Sequence, residues 1–404
     1  MSWKWKSVPL GSVVTFLSGG TPRKSEPSYW DGDIPWVSSG EMTQRRIFDT
    51  ELRVTEVGSS NGTKLIPENT VLVVVRGMSL AKEFRVSITK RPVTFNQDLK
   101  ALRTSESITD EFLFYFLLSQ RNQIRNSATE ASHGTKKLET RVLEDWPTPL
   151  PDTTTQKAIA DILSAYDDLI ENNRRRMALL EESARLLYRE WFVHLRFPGH
   201  EHVPIIDGVP EGWERKPLEE IAEFRLGKML DQNKNKGEMM PYLANVNVRW
   251  GGFDLIDLRE MRFESDELET FGLKVGDIVM CEGGEPGRCA IWKGQVSGMM
   301  IQKALHRIRC RENMPSVFLY YSLRHLGEAG HLASLFTGAT IKHLPRQQLA
   351  KVSVLVPPRP VLEAFSDFVD PVERQMGLLE ASNRRAAEAR DLLLPRLMNG
   401  EIDV

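Results

Sequence analysis

The chain has 404 residues, of which 41% are hydrophobic and 27% are charged, and its formal net charge is −2. This length favours two or three domains, and the composition is that of a globular protein rather than of a collagen-like or disordered one. The near-neutral charge argues against a uniformly basic nucleic-acid binder, three cysteines argue against a disulfide framework, and the lack of an apolar run of about eighteen residues argues against a membrane span, so we expect a cytoplasmic protein without membrane contact.

Residues 1–151 predict a mixed region of strands and helices with a net charge of +3. The Val-rich run at 70–75 is typical of a buried strand, and residues 110–119 predict a helix. The region ends at a proline-bounded stop, Pro-Thr-Pro-Leu-Pro at 147–151. We therefore expect a first domain that ends at residue 151.

Residues 152–196 carry the clearest periodic pattern in the chain. Their apolar positions step by three and four, which is typical of a helix that buries one stripe in a coiled coil. One helix over 155–192 would extend roughly 55 Å. The stripe consists of Ile159, Ile162, Tyr166, Leu169, Asn173, Met177, Leu180, Ala184, Leu187 and Trp191.

Residues 197–357 repeat the order of the first region, with a strand predicted at 274–280 and a helix at 316–326. Pro-Leu at 9–10 recurs at 217–218, and the aromatic segment 112–115 recurs at 318–321. Leu138, Leu143 and Pro151 match Leu344, Leu349 and Pro357. The offset stays near 206 residues over most of the chain, so we predict a pseudo-two-fold internal repeat of two homologous domains.

Residues 358–404 predict a second long helix, which is more polar than the first. Asp370, Pro371 and Glu373 resemble a new helix start with proline at its first position, so we expect a kink or a restart there. Pro395 is expected to fray the last turn. The predicted stripe consists of Phe365, Phe368, Val372, Gln375, Leu379, Asn383, Ala386, Arg390, Leu393 and Leu397.

Two apolar stripes in one chain most simply cover each other. We therefore predict an α+β fold in which two mixed α/β domains are separated by two long helices packed as an antiparallel coiled coil. The alternative is that each helix packs on its own domain. Asn173 and Asn383 would fix the register if they are buried, whereas exposed asparagines would have no such role.

Several kinds of catalytic site are missing from the sequence. We find no phosphate-binding P-loop, no amino-methyltransferase motif, no zinc-ligand spacing among the cysteines and no nucleophile–histidine constellation. The segment Glu-Gly-Gly-Glu-Pro-Gly-Arg at 282–288 is interpreted as a tight loop between strands, with Arg288 projecting from it. We therefore expect a non-catalytic chain that holds no metal and no cofactor of its own.

Basic and amide side chains recur in the loops of both mixed regions. Arginine and lysine suit phosphate and guanine, and asparagine suits adenine. Each pair alone is better explained as solvated surface, and it is the recurrence of the set in both regions that favours binding. The candidate DNA-binding residues are Arg23, Lys24, Arg45, Arg46, Arg76, Lys82, Arg85, Lys136, Lys137, Lys234, Lys236, Asn245, Asn247, Arg249, Trp250, Arg288, Lys342 and His343.

At this point the sequence resembles the specificity subunit of type I restriction–modification systems. The segments 150–173, 209–214 and 392–402 look like the central helical region of that family, the start of its second domain and its C-terminal ending. A strand at 277–279 followed by a Gly-rich loop is similar to an element of its target-recognition domains. The match covers nearly the whole chain, and the order of the motifs is more specific than any one of them.

The resemblance implies a target-recognition domain at 1–151, a central helical spacer at 152–196, a second target-recognition domain with its leading linker at 197–357, and a C-terminal spacer at 358–404. It implies a subunit that binds double-stranded DNA at a bipartite site, one domain per half-site. Two modification subunits with S-adenosylmethionine and two restriction subunits with ATP and Mg would be its partners. The alternatives are a self-sufficient methyltransferase or nuclease, and a coiled-coil DNA-binding regulator or scaffold without modification partners.

Overall fold

The structure, a computed structural model, describes residues 4–131, 134–229, 231 and 235–404. The chain divides into two compact units: unit 1 comprises residues 1–172 and 382–404, and unit 2 comprises residues 173–381. Each division falls inside one of the two long helices rather than at a helix end. Each unit therefore contains a mixed α/β body together with a segment of both helices.

Unit 1 holds the first group of strands and helices. Its strands are β1 Ser7–Pro9, β2 Val14–Ser18, β3 Trp30–Val37, β4 Arg46–Ile47, β5 Arg53–Val54, β6 Val71–Val74, β7 Arg76–Gly77, β8 Val86–Thr89, β9 Thr94–Phe95, β10 Leu99–Thr104, β11 Thr129–Glu130, β12 Lys136–Lys137 and β13 Pro147–Pro149. Its helices are α1 Glu56–Ser59, α2 Met78–Lys82, α3 Asp110–Asn126 and α4 Thr140–Glu144, followed by the start of α5 Thr153–Tyr188.

The central sheet of unit 1 has the strand order β2-β10-β6-β8-β4. Strand β6 is buried at all four positions, because a continuous run of valine and leucine suits a strand that is covered on both faces. A second sheet places β3 antiparallel to β5 and parallel to β9. Helix α3 contributes its run of buried aromatic and aliphatic side chains to the core beside these strands.

Unit 2 holds the second group of elements. Its strands are β14 Ile205–Ile206, β15 Val209–Pro210, β16 Glu214–Pro217, β17 Ala222–Leu226, β18 Glu238–Leu243, β19 Val248–Arg249, β20 Gly252–Phe253, β21 Arg259–Phe263, β22 Ile278–Cys281, β23 Cys289–Ile291, β24 Met300–Ile301, β25 Leu305–Cys310 and β26 Ser353–Val356. Its helices are α6 Leu218–Ile221, α7 Ser265–Phe271, α8 Ser316–Glu328 and α9 Arg346–Ala350, followed by the start of α10 Arg359–Met398.

The strand order of unit 2 follows that of unit 1. Its main sheet runs β17-β25-β22-β23, where unit 1 has β2-β10-β6-β8. Strand β18 is antiparallel to β21 and parallel to β24, as β3 is to β5 and β9. Strands β16 and β26 pair as β1 and β13 do. This shared order is the one expected if the sequence repeat reflects two copies of one fold.

The two predicted long helices are present. Asp152 caps α5, since its carboxylate accepts the Thr155 N–H and the Thr155 hydroxyl, each at 2.9 Å. These two hydrogen bonds lower the pKa of Asp152. Of the kink or restart expected at Pro371, the restart was wrong, because α10 is one helix from 359 to 398. The kink stays a prediction. The expected fraying at Pro395 was also wrong, since the Pro395 carbonyl accepts the Asn399 N–H at 3.0 Å.

In unit 1, the first turns of α5 and the last turns of α10 share one core with the α/β body, with Leu163 and Leu397 among its buried members. In unit 2, the last turns of α5 and the first turns of α10 do the same, with Tyr188 and Phe365 in the core. Asn173 is buried, with 2% of its surface exposed, and Asn383 is half-buried. The helices thus contribute to the core of each unit.

Three positions of the predicted helical stripes do not lie on the buried face. Ile162, Leu169 and Phe368 are 37%, 43% and 63% exposed. Leu163 and Ile170, one residue further along, are buried instead. A step of one residue rotates the side chain by about 100° around the helix, and apolar residues occupy both positions, so the spacing alone did not identify the buried one.

The remaining predicted positions are buried or half-buried. Ile159, Phe365, Leu379 and Ala386 are buried. The half-buried group consists of Tyr166, Met177, Leu180, Leu187, Val372, Gln375 and Leu393, together with Asn383.

Candidate nucleic-acid interface

In unit 1, cationic side chains from distant parts of the chain meet on one small sheet. Strand β12 pairs antiparallel with β7, which places Lys136 opposite Gly77 and Lys137 opposite Arg76. Strand β11 pairs with the other edge of β12. Lys82 ends α2, which packs on both β7 and β12. We call Arg76, Lys82, Lys136 and Lys137 the unit-1 cationic surface.

Carboxylates position two of these cations without removing them from solvent. The Arg76 Nε donates to Asp98 Oδ1 at 2.9 Å, and the Lys137 Nζ lies 2.7 Å from Glu139 Oε1. The two cationic side chains keep 49% and 50% of their surface exposed. Partly exposed cations of this kind can contact DNA phosphates and release counterions.

The backbone beside this surface is shaped by Gly77 and Arg85. Gly77 has a φ of +124°, which side chains disfavour, where the chain turns from β7 into α2. Arg85 Nη1 donates to the Ser39 carbonyl at 3.0 Å. The Ser39 hydroxyl lies 3.9 Å from the place that a Cβ of Gly77 would occupy. The loop at 38–44 therefore borders the unit-1 cationic surface.

Arg45 and Arg46 are not exposed loop cations, contrary to the expectation from sequence. Arg46 begins β4 and pairs with Asp168 of α5, and the Arg45 Nη2 lies 3.1 Å from Asp391 Oδ1 of α10. The Arg45 side chain is only 23% exposed, and the Arg46 side chain is only 14% exposed. Carboxylates far away in the sequence turn these two arginines towards the helices.

Arg23 and Lys24 are exposed on a different loop, between β2 and β3. The carbonyl of Arg23 accepts the indole N–H of Trp30 at 3.2 Å, which anchors the loop backbone.

Unit 2 has a related arrangement, built from a glycine-rich loop and a tight turn. The loop at 282–288 connects β22 to β23, as predicted. His343 pairs with Gly283, and the backbones of His343 and Thr337 exchange hydrogen bonds of 2.8 and 2.9 Å. The His343 Nδ1 lies 3.0 Å from Glu282 Oε2. Lys342 is exposed at this turn.

A backbone pairing at corresponding positions occurs in both units: Gly77 with Lys136 in unit 1, and Gly283 with His343 in unit 2. Gly283 follows Gly77 by 206 residues, and His343 follows Lys136 by 207. We call the pairing of Gly77 with Lys136, and of Gly283 with His343, the hairpin-on-loop contact.

Arg288 does not project from its loop, contrary to expectation. Its side chain is 16% exposed and pairs with Glu285, three residues earlier in the same turn. Its Nη2 donates to the Asn245 carbonyl at 2.9 Å. A Cβ on Gly284 would lie 2.5 Å from the side-chain Nδ2 of Asn245, so only glycine lets the loop backbone approach Asn245 this closely. Arg288 thus joins two loops of unit 2.

The neighbouring candidates of unit 2 make hydrogen bonds or ion pairs within their own turn or with the glycine-rich loop. Asn247 Oδ1 accepts the Ala244 N–H at 3.0 Å, and its Nδ2 donates to the Asp254 carbonyl at 3.1 Å. Arg249 is 51% exposed and lies 3.2 Å from the Asp254 carboxylate. The Trp250 indole donates to Glu285 Oε1 at 3.3 Å.

The last two lysine candidates of unit 2 lie in the segment before β18. Lys236 is exposed, and Lys234 lies outside the described residues.

Among the described residues, no group of three or more His, Cys, Asp or Glu side chains is arranged to hold a metal ion. Burial raises the pKa of the Cys281 and Cys289 thiols, so both stay protonated at neutral pH. Within the described part of the chain, the helices are too short or too polar to cross a bilayer.

Sequence reasoning missed the acidic partners of the arginines. Asp167 and Asp168 on α5 and Asp391 on α10 face cations of the unit 1 body. The available signal was a pair of adjacent aspartates beside an apolar stripe, but such pairs more often lie in solvent. The exposed Ile341 at the turn of unit 2 was also missed, because it is neither a cation nor an amide.

The comparisons with known proteins agree with one another. A sequence model of the family described as "Type I restriction modification DNA specificity domain" matches residues 3–182. The chain is 24% identical over 421 residues to the type I restriction enzyme MjaIX specificity subunit of Methanocaldococcus jannaschii, covering 99% of this chain and 94% of that protein. It is 31% identical over 168 residues to the EcoR124I/EcoR124II specificity subunit of Escherichia coli, covering 41% of each. The solved S subunit of a type I restriction-modification system from M. genitalium has a similar fold, with a TM-score of 0.59, 17% identity and coverage of 98% and 96%.

Proposed function

We propose that this chain is a specificity subunit of a type I restriction–modification system and that it reads a bipartite DNA site with one domain per half-site. The observation that carries this proposal is the hairpin-on-loop contact, which occurs once in each unit beside exposed cations. Two similar readers on one chain suit a site made of two separate parts.

The chemistry of these surfaces suits DNA binding. Arg76, Lys82 and Lys137 in unit 1 and Lys342 in unit 2 are exposed and can contact phosphates. The two-stranded segment β11–β12 has the width of a ribbon that the major groove admits. Lys136 lies half-buried on that segment, at the edge of the cationic surface. Phosphate contacts set the position of each domain, and contacts to base edges select the sequence.

The chain itself would perform no chemistry on DNA. The family implies that modification subunits bring S-adenosylmethionine and methylate adenine, and that restriction subunits bring ATP and Mg. Two copies of each partner fit a chain with pseudo-two-fold repetition. Ile162, Leu169 and Phe368 on the long helices are exposed apolar side chains and are candidates for the docking faces of these partners.

The long helices would form the predicted antiparallel coiled coil and act as the spacer. Two contacts support this proposal. The first turns of α5 share a core with the last turns of α10 in unit 1, and the last turns of α5 share a core with the first turns of α10 in unit 2.

A domain exchange tests the reading of half-sites. Residues 1–151 are replaced by the corresponding domain of a specificity subunit with a different known target, and the chimera is expressed with its modification partners. We expect one half-site of the methylated motif to change while the other half-site and the gap persist. A change in both half-sites would refute the assignment of one domain to each half.

A further inference from the structure

A buried carboxylate on α5 gathers cations and a phenol from three other elements of unit 1. Asp167 Oδ2 accepts the hydroxyl of Tyr115, on α3, at 2.8 Å. Asp167 also pairs with Arg390 of α10 and lies 3.7 Å from Arg45 Nη1. The side chains of Asp167 and Arg390 are 7% and 8% exposed. This cluster therefore links the body of unit 1 to both helix segments.

A second layer of ion pairs surrounds this cluster and is open to solvent. Asp391 lies 3.1 Å from Arg45 Nη2 and 2.9 Å from Arg390 Nη2. Asp168 pairs with Arg46. The Asp168 and Asp391 side chains are 67% and 45% exposed, so the ion pairs of this layer can be altered without burying a new group.

The two arginines end a segment whose other end lies at the unit-1 cationic surface. Arg85 holds the Ser39 carbonyl at that surface, and the Ser87 hydroxyl donates to the Gln44 carbonyl at 2.7 Å. Arg45 and Arg46 follow directly and turn to the helices. The segment 38–46 thus connects the candidate DNA-binding face with the helix pair of unit 1.

Unit 2 carries a related cluster at the equivalent positions. Tyr321, on α8, donates to Glu373 Oε1 of α10 at 2.7 Å, and the Lys293 Nζ lies 2.8 Å from Glu373 Oε2. Tyr321 follows Tyr115 by 206 residues, and Glu373 follows Asp167 by the same number. A tyrosine of the body and a carboxylate of a long helix therefore meet in both units.

Buried ion clusters contribute little net stability, because desolvation offsets the Coulombic gain. An apolar contact of similar size would hold the body on the helices equally firmly. A cluster of directional hydrogen bonds differs from an apolar contact, because it allows only one arrangement of the body on the helices. Any shift of the body leaves a buried charge unpaired. The cluster therefore fits a role in orientation better than a role in overall stability.

We propose that Arg45, Arg46, Asp167, Asp168, Arg390 and Asp391 form a clamp that sets how strictly the protein discriminates between gap lengths in its DNA site. The clamp fixes the unit 1 body on its helix segments, so the DNA-reading face has one permitted orientation. These six are positioning residues. The inference rests on the proposed function.

The test uses the chain in complex with its modification subunits. The substrates carry both half-sites with the cognate gap, or with a gap one base pair shorter or longer. Gap discrimination is the ratio of the methylation rate at the cognate gap to the rate at the altered gap. We expect Asp168→Asn with Asp391→Asn to lower this ratio by about tenfold, because the variant loses the ion pairs of Asp168 with Arg46 and of Asp391 with Arg45 and Arg390. Both half-sites should stay unchanged.

A charge exchange separates orientation from folding. Asp168→Arg alone should lower gap discrimination, and Arg46→Asp combined with Asp168→Arg should restore it, because the pair is re-formed with opposite polarity. Asp145→Asn is the matched control, since it removes an exposed Arg–Asp pair of unit 1 whose side chains are 89% and 71% exposed. The control should leave the ratio unchanged.

Two outcomes would overturn the clamp. One is an unchanged ratio in the double asparagine variant, and the other is an equal loss of methylation at every gap, which indicates destabilisation alone. If the wild-type complex itself methylates no bipartite motif, the proposed function fails, and this result is visible before any variant is made.

Discussion

At the scale of the single residue, His306 shows how burial controls charge in this protein. The side chain lies on β25 and is fully buried, with its Nε2 2.8 Å from the Leu344 carbonyl. Its Nδ1 is buried without a hydrogen-bond partner among the described residues. Burial lowers the pKa of His306, so the folded protein holds the ring neutral where a solvated histidine is protonated.

The sign of the resulting pH dependence follows from proton binding. Below about pH 6.5 the unfolded chain binds a proton at His306 and the folded chain does not, so the free energy of unfolding falls as the pH decreases through this range. His306→Gln keeps an N–H donor for Leu344 and removes the titration. We expect the variant to lose less stability than the wild type between about pH 7.5 and about pH 5.5, measured by urea unfolding.

His202→Gln is the control for this prediction, since the His202 side chain is 84% exposed. It should leave the pH dependence of the wild type intact. An identical slope in the His306 variant and the wild type would show that His306 is not the group responsible.

The cations of the unit-1 cationic surface give a second prediction at this scale. Lys136→Ala with Lys137→Ala should weaken DNA binding at all sequences, because both side chains belong to the unit-1 cationic surface. The slope of log K against log salt should become shallower by about one to two. The measurement is a binding titration of the complex over a salt series.

Lys157→Ala removes an exposed cation from the start of α5 and serves as the control. A salt slope that stays the same in the double lysine variant would remove these two residues from the interface.

At the scale of the element, α10 shows what periodicity reveals and what it leaves open. Its existence and approximate ends follow from apolar spacing, whereas its continuity through Pro371 does not, because proline is usually a helix breaker. Packing of its apolar face in each unit offsets the hydrogen bond that Pro371 cannot donate. The choice of buried face within a broad apolar sector likewise depends on the partner surface, which lies elsewhere in the sequence.

Phe365 and Phe368 make this difference measurable, since one is fully buried and the other is 63% exposed. Phe365→Ala should lower the free energy of unfolding by about 3–5 kcal/mol, as for a buried phenylalanine. Phe368→Ala should lower it by less than about 1 kcal/mol, because Phe368 is largely exposed and its ring lies edge-on to Trp191 at the helix surface. Denaturant unfolding of both variants gives the comparison, and similar losses would contradict the assigned faces.

At the scale of the whole molecule, the order of the elements could be predicted from the sequence. The helix predicted at 110–119 is confirmed within Asp110–Asn126, and the one at 316–326 is confirmed within Ser316–Glu328. The resemblance to type I specificity subunits was recognised from the order of short motifs, and the comparisons confirm that resemblance. The predicted domain boundaries and the residues that read bases stay predictions.

The candidate site could be predicted only in part. The lysines of β12 were found because adjacent cations in a loop stand out in a sequence. The folding back of Arg288 and the turn of Arg45 towards Asp391 depend on carboxylates brought together by the fold. Residue type and spacing carry no information on such long-range pairs, and a structure is needed to find them.

The central claim is that this chain selects the DNA site at which partner subunits act. The most direct test maps adenine methylation across the source genome by long-read sequencing, in the parent strain, in a deletion of this gene and in the complemented deletion. We predict that one interrupted motif loses methylation on deletion and regains it on complementation. If every interrupted motif keeps its methylation in the deletion strain, the claim is contradicted.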